Sequence, residues 1–359
     1  MDHFMNLSKP FLAGAVLSFL GLLLLTEIFL RLTVPTGFWY KQFDVSGDMT
    51  SLAELQDRLQ FAAPQEHRVL LLGDSVLGAS ALMEHDLPRA KTLSCFLSGE
   101  LQKKGYNALS LGSDGLLLPD MEGLSFESAA AYPERVLILL NFRMFAKDFI
   151  EFPKAISRDF LRSFMLPGSP RMIAADYTPT KEVFLSNALY DEMCDHWFLF
   201  RETQMAKTLW YYPSQKDFFQ RLLQRVVKKN ETQTEIAEAA LRRKIASYYQ
   251  AYLWDRQGIP FESLKRVLVW WASHHIPVTV VLTPQNEKFM GQYFDKPSFE
   301  KNRKTLGAFL KVYSKSGIHY EDWSKLYPSS FFLDHCHLKP EGNEQYAKDL
   351  SKLIAGGAK

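Results

Sequence analysis

Cysteine is scarce in this chain: Cys95, Cys194 and Cys336 are the only three in 359 residues. Three are too few for a disulfide framework, and an odd number leaves at least one thiol unpaired, so cysteine usage does not fix the compartment. A surplus of one charge is missing too. Forty-two Lys and Arg stand against 40 Asp and Glu, and a net charge of +2 gives no hint of a nucleic-acid surface. No internal repeat or low-complexity tract is apparent. What the chain does have is 27 Phe, 15 Tyr and 7 Trp within a hydrophobic content of 47%, which argues against disorder and for a well-packed globule. Its length fits about two domains, or one large domain carrying an insertion.

Long apolar runs are also lacking, with one exception. "FLAGAVLSFLGLLLLTEIFL", residues 11–30, is interrupted only by Ser18, Thr26 and Glu27. A helix of this length spans about 30 Å, the thickness of a bilayer's hydrocarbon core. Glu27 falls in its last turn, within reach of the interface. A cleavable signal has a shorter apolar part followed by a small-x-small site, whereas this run leads into "RLTVPTG". The expectation is a retained single-pass anchor over residues 1–35, a polar linker over 36–66 and a body over 67–359. Lys9 before the span and Arg31 and Lys41 after it leave the orientation open.

The body opens with the strand "RVLLLG". A helix follows over residues 91–105, and "YNALSLG" and "ERVLILLNF" read as two more apolar strands around a helical stretch near residues 122–131. Residues 145–258 break this rhythm and look like a mainly helical insertion. The alternation resumes with helix "FESLKRVLVWWASHH", strand "PVTVVLTP", a helix from Phe299 to Gly317 and a final helix near residues 341–354. Apolar strands alternating with helices predict a three-layer α/β/α body with a mostly parallel sheet.

In such sheets chemistry gathers at the carboxyl ends of the strands. Four segments qualify: Gly73-Asp74-Ser75, "SLGSDG" at 110–115, Asn141, and "DHCH", in which Asp334 and His337 stand three positions apart just before the final helix. A serine nucleophile needs a base for its proton and a carboxylate to orient that base. It also needs donors aimed at the developing oxyanion. The D-x-x-H spacing brings a carboxylate and an imidazole together within about one turn of chain, and the serine must arrive from a distant strand end.

These four blocks, in this order, resemble those of the SGNH, or GDSL-type, hydrolase superfamily. The resemblance implies Ser75 as nucleophile, His337 as base and Asp334 as its orienting acid. It implies an oxyanion site made of the Ser75 backbone N–H, Gly115 (with Gly112 the second choice) and Asn141. At the third block the family usually shows Gly-x-Asn-Asp, where this chain has "LLNFR". The membrane span ahead of such a body resembles the cell-envelope acyl-transfer branch, DltD-like or AlgJ/AlgX-like. "VVLTPQNEKF" is similar to the former group's Pro-x-Asn segment, which makes Asn286 a substrate-binding candidate. That branch implies an acyl-serine intermediate, an acyl donor with a carbohydrate acceptor, a membrane-bound O-acyltransferase partner and a body on the extracytoplasmic side. It implies no cofactor.

Other readings stay open. Asp74 is expected to hydrogen-bond its own turn. His335 is a competing imidazole, and His274 and His275 suit the negative end of a helix. Asp334, His335, Cys336 and His337 could also contribute to a metal site, although no second ligand cluster is visible. A non-catalytic scaffold for a membrane acylation complex is a further alternative, since the altered third block is what lost activity would look like.

Overall fold

The computed structural model describes residues 9–33, 67–78, 81–82, 85, 87–112, 116–128, 133–145, 197, 199, 259–292 and 296–356. Nearly all of the expected insertion at 145–258 and the expected linker at 36–66 lie outside these residues.

Helix α1, Lys9–Thr33, is long and apolar enough to cross a membrane. Its Gly14–Thr33 window has a mean hydropathy of 2.0, and most of its Leu and Phe side chains are exposed. Glu27 is the exception to that exposed surface. It is buried, ion-paired with Arg31 at 2.5 Å, and accepts the Leu199 backbone N–H at 2.6 Å. A charged residue on a helix of this kind is far less costly paired than alone.

Five parallel strands form one sheet in the order β2-β1-β3-β4-β5. They are β1 Arg68–Gly73, β2 Asn107–Gly112, β3 Arg135–Leu140, β4 Val278–Leu282 and β5 Ile318–Asp322. The helices are α2 Leu93–Gln102, α3 Leu118–Ser128, α4 Ile259–Ser273, the single turn α5 Glu287–Met290, α6 Lys296–Lys311 and α7 Pro340–Gly356.

Side chains alternate across each strand, so one strand feeds two cores. Leu70, Leu72, Val136, Ile138, Val280 and Leu282 face α3, α4 and α6, where Met121, Leu264, Trp271 and Leu306 are fully buried. Val69, Leu71, Leu137, Leu139 and Val281 face α2 and α7, meeting Leu97, Leu101, Tyr346 and Leu350. Burial on both faces is why β1, β3 and β4 read as nearly continuous apolar runs, broken in β4 only by the half-buried Thr279. The three-layer α/β/α expectation is met.

The fifth strand adds to the four expected. "IHYED" has one buried residue in five and lies at the sheet edge, pairing Val278 with Ile318 through Leu282 with Asp322. An edge strand with this little burial carries no apolar run to announce it.

Strand β1 pairs with β2 on one side and β3 on the other. The chain therefore reverses its winding direction at β1 and β3, and the crevice outside their carboxyl ends is where this kind of sheet binds ligands.

Candidate active site

The end of β1 is shaped by what cannot fit there. A Cβ on Gly73 would lie 2.7 Å from Leu77 Cδ1 and 3.4 Å from Leu139 Cβ, so a larger residue here would have to displace the Leu77 side chain that packs into the turn. The turn closes with Leu77 N–H donating to Asp74 O at 3.0 Å and Gly78 N–H to Ser75 O at 3.1 Å. Asp74, fully buried, accepts the Val76 N–H on Oδ1 at 3.1 Å, as its place in the turn led one to expect.

The second half of the site comes from the segment before α7. A bridge between Phe332 and Leu338 pinches residues 332–338 into a loop, reinforced by Leu333 N–H to His337 O at 2.8 Å. Inside it, Asp334 Oδ1 accepts the backbone N–H groups of Cys336 and His337, both at 2.8 Å. Its Oδ2 lies 2.7 Å from His337 Nδ1. A carboxylate only accepts, so the proton sits on Nδ1 and Nε2 is left to accept. Ser75 Oγ is 2.8 Å from that Nε2, across 262 positions of sequence.

Helix α7 braces this loop closely. A Cβ on Gly342 would come within 2.9 Å of Phe331 O and 3.1 Å of Leu338 Cβ. Asn343 donates its side-chain amide to Leu338 O at 3.4 Å and to Lys91 O at 3.1 Å.

The electrostatics follow the geometry. Burial works against ionisation of Asp334, but the His337 imidazole, the neighbouring His335 and the His337 backbone N–H outweigh it and hold the carboxyl well below its usual range. Burial likewise opposes charge on His337, yet the adjoining Cys336 sulfur and Asp334 carboxylate raise it well above an ordinary histidine. The Cys336 thiol is buried, which disfavours its anion, and the imidazoles of His335 and His337 nevertheless pull it down to about 6.

The structure thus brings Ser75, His337 and Asp334 into one hydrogen-bonded chain. Asn141, fully buried, follows β3 at the strand end next to that of β1. Its Oδ1 accepts the Arg143 backbone N–H at 3.3 Å, and its Nδ2 has no hydrogen-bond partner among the described residues. Gly115 lies outside the described residues. Gly112 closes β2, paired with Gly73, and a Cβ there would lie 3.1 Å from Leu77 Cβ, so its smallness serves the packing of the turn.

Asn286, expected to bind substrate, has its amide engaged within the chain. Its Oδ1 accepts the Phe289 N–H at 3.2 Å, its Nδ2 donates to Asp334 O at 3.0 Å, and its own N–H donates to His335 O at 2.9 Å. The physical role these contacts give it is to tie the end of β4 to the Asp334 loop. His335 lies with Nδ1 3.7 Å from Asp334 Oδ1, beside the pair rather than within it. Ligand atoms of Asp334, His335 and Cys336 fall within 4.8 Å of one another, but both Asp334 oxygens are already accepting from the His337 ring and the loop amides.

One side chain at the site is absent from the sequence-based expectations. Arg143 sits in the 3-10 turn Phe142–Phe145 that follows β3. Its guanidinium donates to Asp74 Oδ2 through Nε at 2.8 Å and Nη2 at 2.5 Å, and Nη2 also contacts Ser75 Oγ. An arginine after a strand reads locally as a solvated residue. Only the pairing with a residue 69 positions away reveals that it is buried.

No protein-family model matches the sequence, and no curated protein matches it. Several solved structures resemble the fold, two of them as follows. One, from Bacteroides fragilis, is described as a "putative acylhydrolase" and is 13% identical, with a TM-score of 0.39 over 85% of this chain and 97% of its own. The other is described as a GDSL-like lipase from Bacteroides thetaiotaomicron and is 10% identical, with a TM-score of 0.38 over 86% of this chain and 99% of its own. At this level of likeness neither carries weight for function, which has to rest on the site itself.

Proposed function

We propose that this chain is a membrane-anchored serine esterase or O-acyltransferase of the SGNH type, working through an acyl-serine intermediate. The observation that carries the reading is the continuous path from Ser75 Oγ to His337 Nε2 at 2.8 Å and from His337 Nδ1 to Asp334 Oδ2 at 2.7 Å. Such a path lets neutral His337 take the Ser75 proton as the oxygen attacks an ester carbonyl. Asp334 fixes the tautomer and stabilises the imidazolium that forms. The Ser75 N–H, Gly115 and the unpartnered Asn141 Nδ2 are the proposed oxyanion donors. Collapse of the adduct expels the alcohol, which leaves with the proton returned by His337. Water or a sugar hydroxyl then resolves the acyl-serine.

The α1 span supports anchoring at the cell membrane, with the body proposed on the extracytoplasmic side. A cell-envelope or exopolysaccharide acceptor and a membrane-bound O-acyltransferase partner complete the proposal. Treating the full-length, detergent-solubilised chain with a fluorophosphonate probe tests it. A single adduct on Ser75, lost in Ser75→Ala, is expected; an adduct elsewhere, or undiminished labelling of Ser75→Ala, overturns the reading. Acyl esters offered with and without polysaccharide then separate transfer from hydrolysis.

A further inference from the structure

We propose that Arg143 is a catalytic residue: its guanidinium, anchored on Asp74, holds Ser75 Oγ in the attacking position and then donates to the oxyanion. The proposal rests on the acyl-serine reading and adds to it a cation to which the four-block resemblance gives no role.

Ser75 Oγ has one proton and, among the described residues, two polar side-chain neighbours. When His337 is neutral its Nε2 accepts, and Arg143 Nη2 can only donate, so in that state the hydroxyl is fixed with its proton toward the imidazole and its lone pairs toward the guanidinium. Burying a guanidinium is costly unless it is paired. Here Asp74, fully buried, takes two of its N–H groups on a single oxygen. That arrangement sets the plane of the fork and leaves Nη2 shared between Asp74 and the nucleophile. Without Arg143, the Asp74 carboxylate would stand one residue from Ser75 as a bare negative charge, opposing the charge that builds on Oγ and on the substrate oxygen.

The turn after β3 supplies more than the arginine. Met144 N–H donates to Asn141 O at 3.1 Å, and Arg143 N–H to Asn141 Oδ1 at 3.3 Å. One short turn thereby fixes both a carboxamide whose Nδ2 is unpartnered and a guanidinium that touches the nucleophile. "LLNFR" is on this reading a two-donor block rather than a decayed one.

In the step itself, the Oγ lone pair bonds to the carbonyl carbon, the Oγ–H proton passes to His337 Nε2, and the carbonyl π pair moves to oxygen. That oxygen is one carbon removed from Oγ, within the sweep of Nη2. Arg143 keeps its protons throughout, and the negative charge meets a preorganised donor.

The test compares full-length wild type, Ser75→Ala and Arg143→Ala for the rate of fluorophosphonate labelling and for the acetyl-enzyme burst with p-nitrophenyl acetate. Arg143→Ala is expected to slow acylation by roughly 10²–10³-fold. KM should change little, and millimolar guanidinium should restore at least about tenfold, a rescue that a purely structural residue would not show. If Ser75→Ala is silent while Arg143→Ala acylates within threefold of wild type, the arginine proposal falls and the acyl-serine reading stands. If Ser75→Ala labels like wild type, the acyl-serine reading itself fails. Should Arg143→Ala not fold, a crystal structure of the phosphonylated wild type decides. A phosphoryl oxygen within about 3.2 Å of the guanidinium is expected, and one beyond hydrogen-bond reach overturns the proposal.

Discussion

The two halves of the site are built by different means. The nucleophile's half (Ser75, Asp74, Asn141 and Arg143) hangs directly on the ends of β1 and β3, is almost wholly buried, and is locked by a guanidinium–carboxylate pair. The base's half, Asp334 to His337, stands on a loop, leaves Asp334 about one-third exposed, and is held mainly by backbone hydrogen bonds and Asn286. On the proposed mechanism, the sheet supplies rigidity for the group that must be aimed, and the loop supplies the group whose charge changes. Perturbing the first half should therefore damage acylation at every pH. Perturbing the second should also move the pH at which activity appears.

The largest effect is expected from His337→Ala, which leaves Ser75 without a base and should lower kcat by on the order of 10⁴–10⁶-fold. Steady-state esterase assays check it, and a loss of less than tenfold would mean that the loop half is not the base.

Asp334→Asn should cost roughly 10²–10⁴-fold, because an amide can present its N–H to Nδ1 and impose the wrong tautomer. The same change sharpens the comparison through pH. Activity needs neutral His337, whose pKa is raised well above 6.5, so the acid limb of the rate profile should lie above that value in wild type. Removing the carboxylate should move the limb downward, whereas Arg143→Ala should not move it in that direction.

Linkage sets the corresponding stability window. His337, with its raised pKa, contributes stability that is full below its unfolded value and lost as pH rises through the folded one. Asp334, with its lowered pKa, contributes stability that is full above its unfolded value of about 3.9 and lost as pH falls through the folded one. Thermal unfolding of wild type against Asp334→Asn between pH 3 and 9 should show the difference between them shrinking at the alkaline end.

Asn286→Ala loosens the loop without touching the reacting atoms. It should cost roughly tenfold in kcat and about 1 kcal/mol in stability, and an unchanged kcat would detach Asn286 from the loop's positioning. The smallest expected effect on chemistry is from Gly342→Ala. A methyl 2.9 Å from Phe331 O must push α7 or the loop aside, destabilising by about 1–3 kcal/mol with kcat falling only a fewfold.

What the sequence made legible follows burial. Strands β1, β3 and β4 are hydrophobic on both faces and announce themselves, while β5, polar at a sheet edge, does not. Ser75, Asp334 and His337 could be singled out because a strand end and a three-residue spacing are local patterns. Arg143 could not, since its burial depends on Asp74, far away in sequence and close only once β1 and β3 are neighbours. Asn286 could be picked out but not understood, because its partner in the Asp334 loop is 48 positions away.

The separation of Ser75 and His337 by 262 positions also has a meaning in time. At about 5–20 residues per second of synthesis, roughly 13 to 50 s pass between the emergence of one and the emergence of the other. On the proposed acyl-serine mechanism, the nascent chain carries its nucleophile through that interval without the group that activates it, and it gains reactivity only when synthesis is nearly finished.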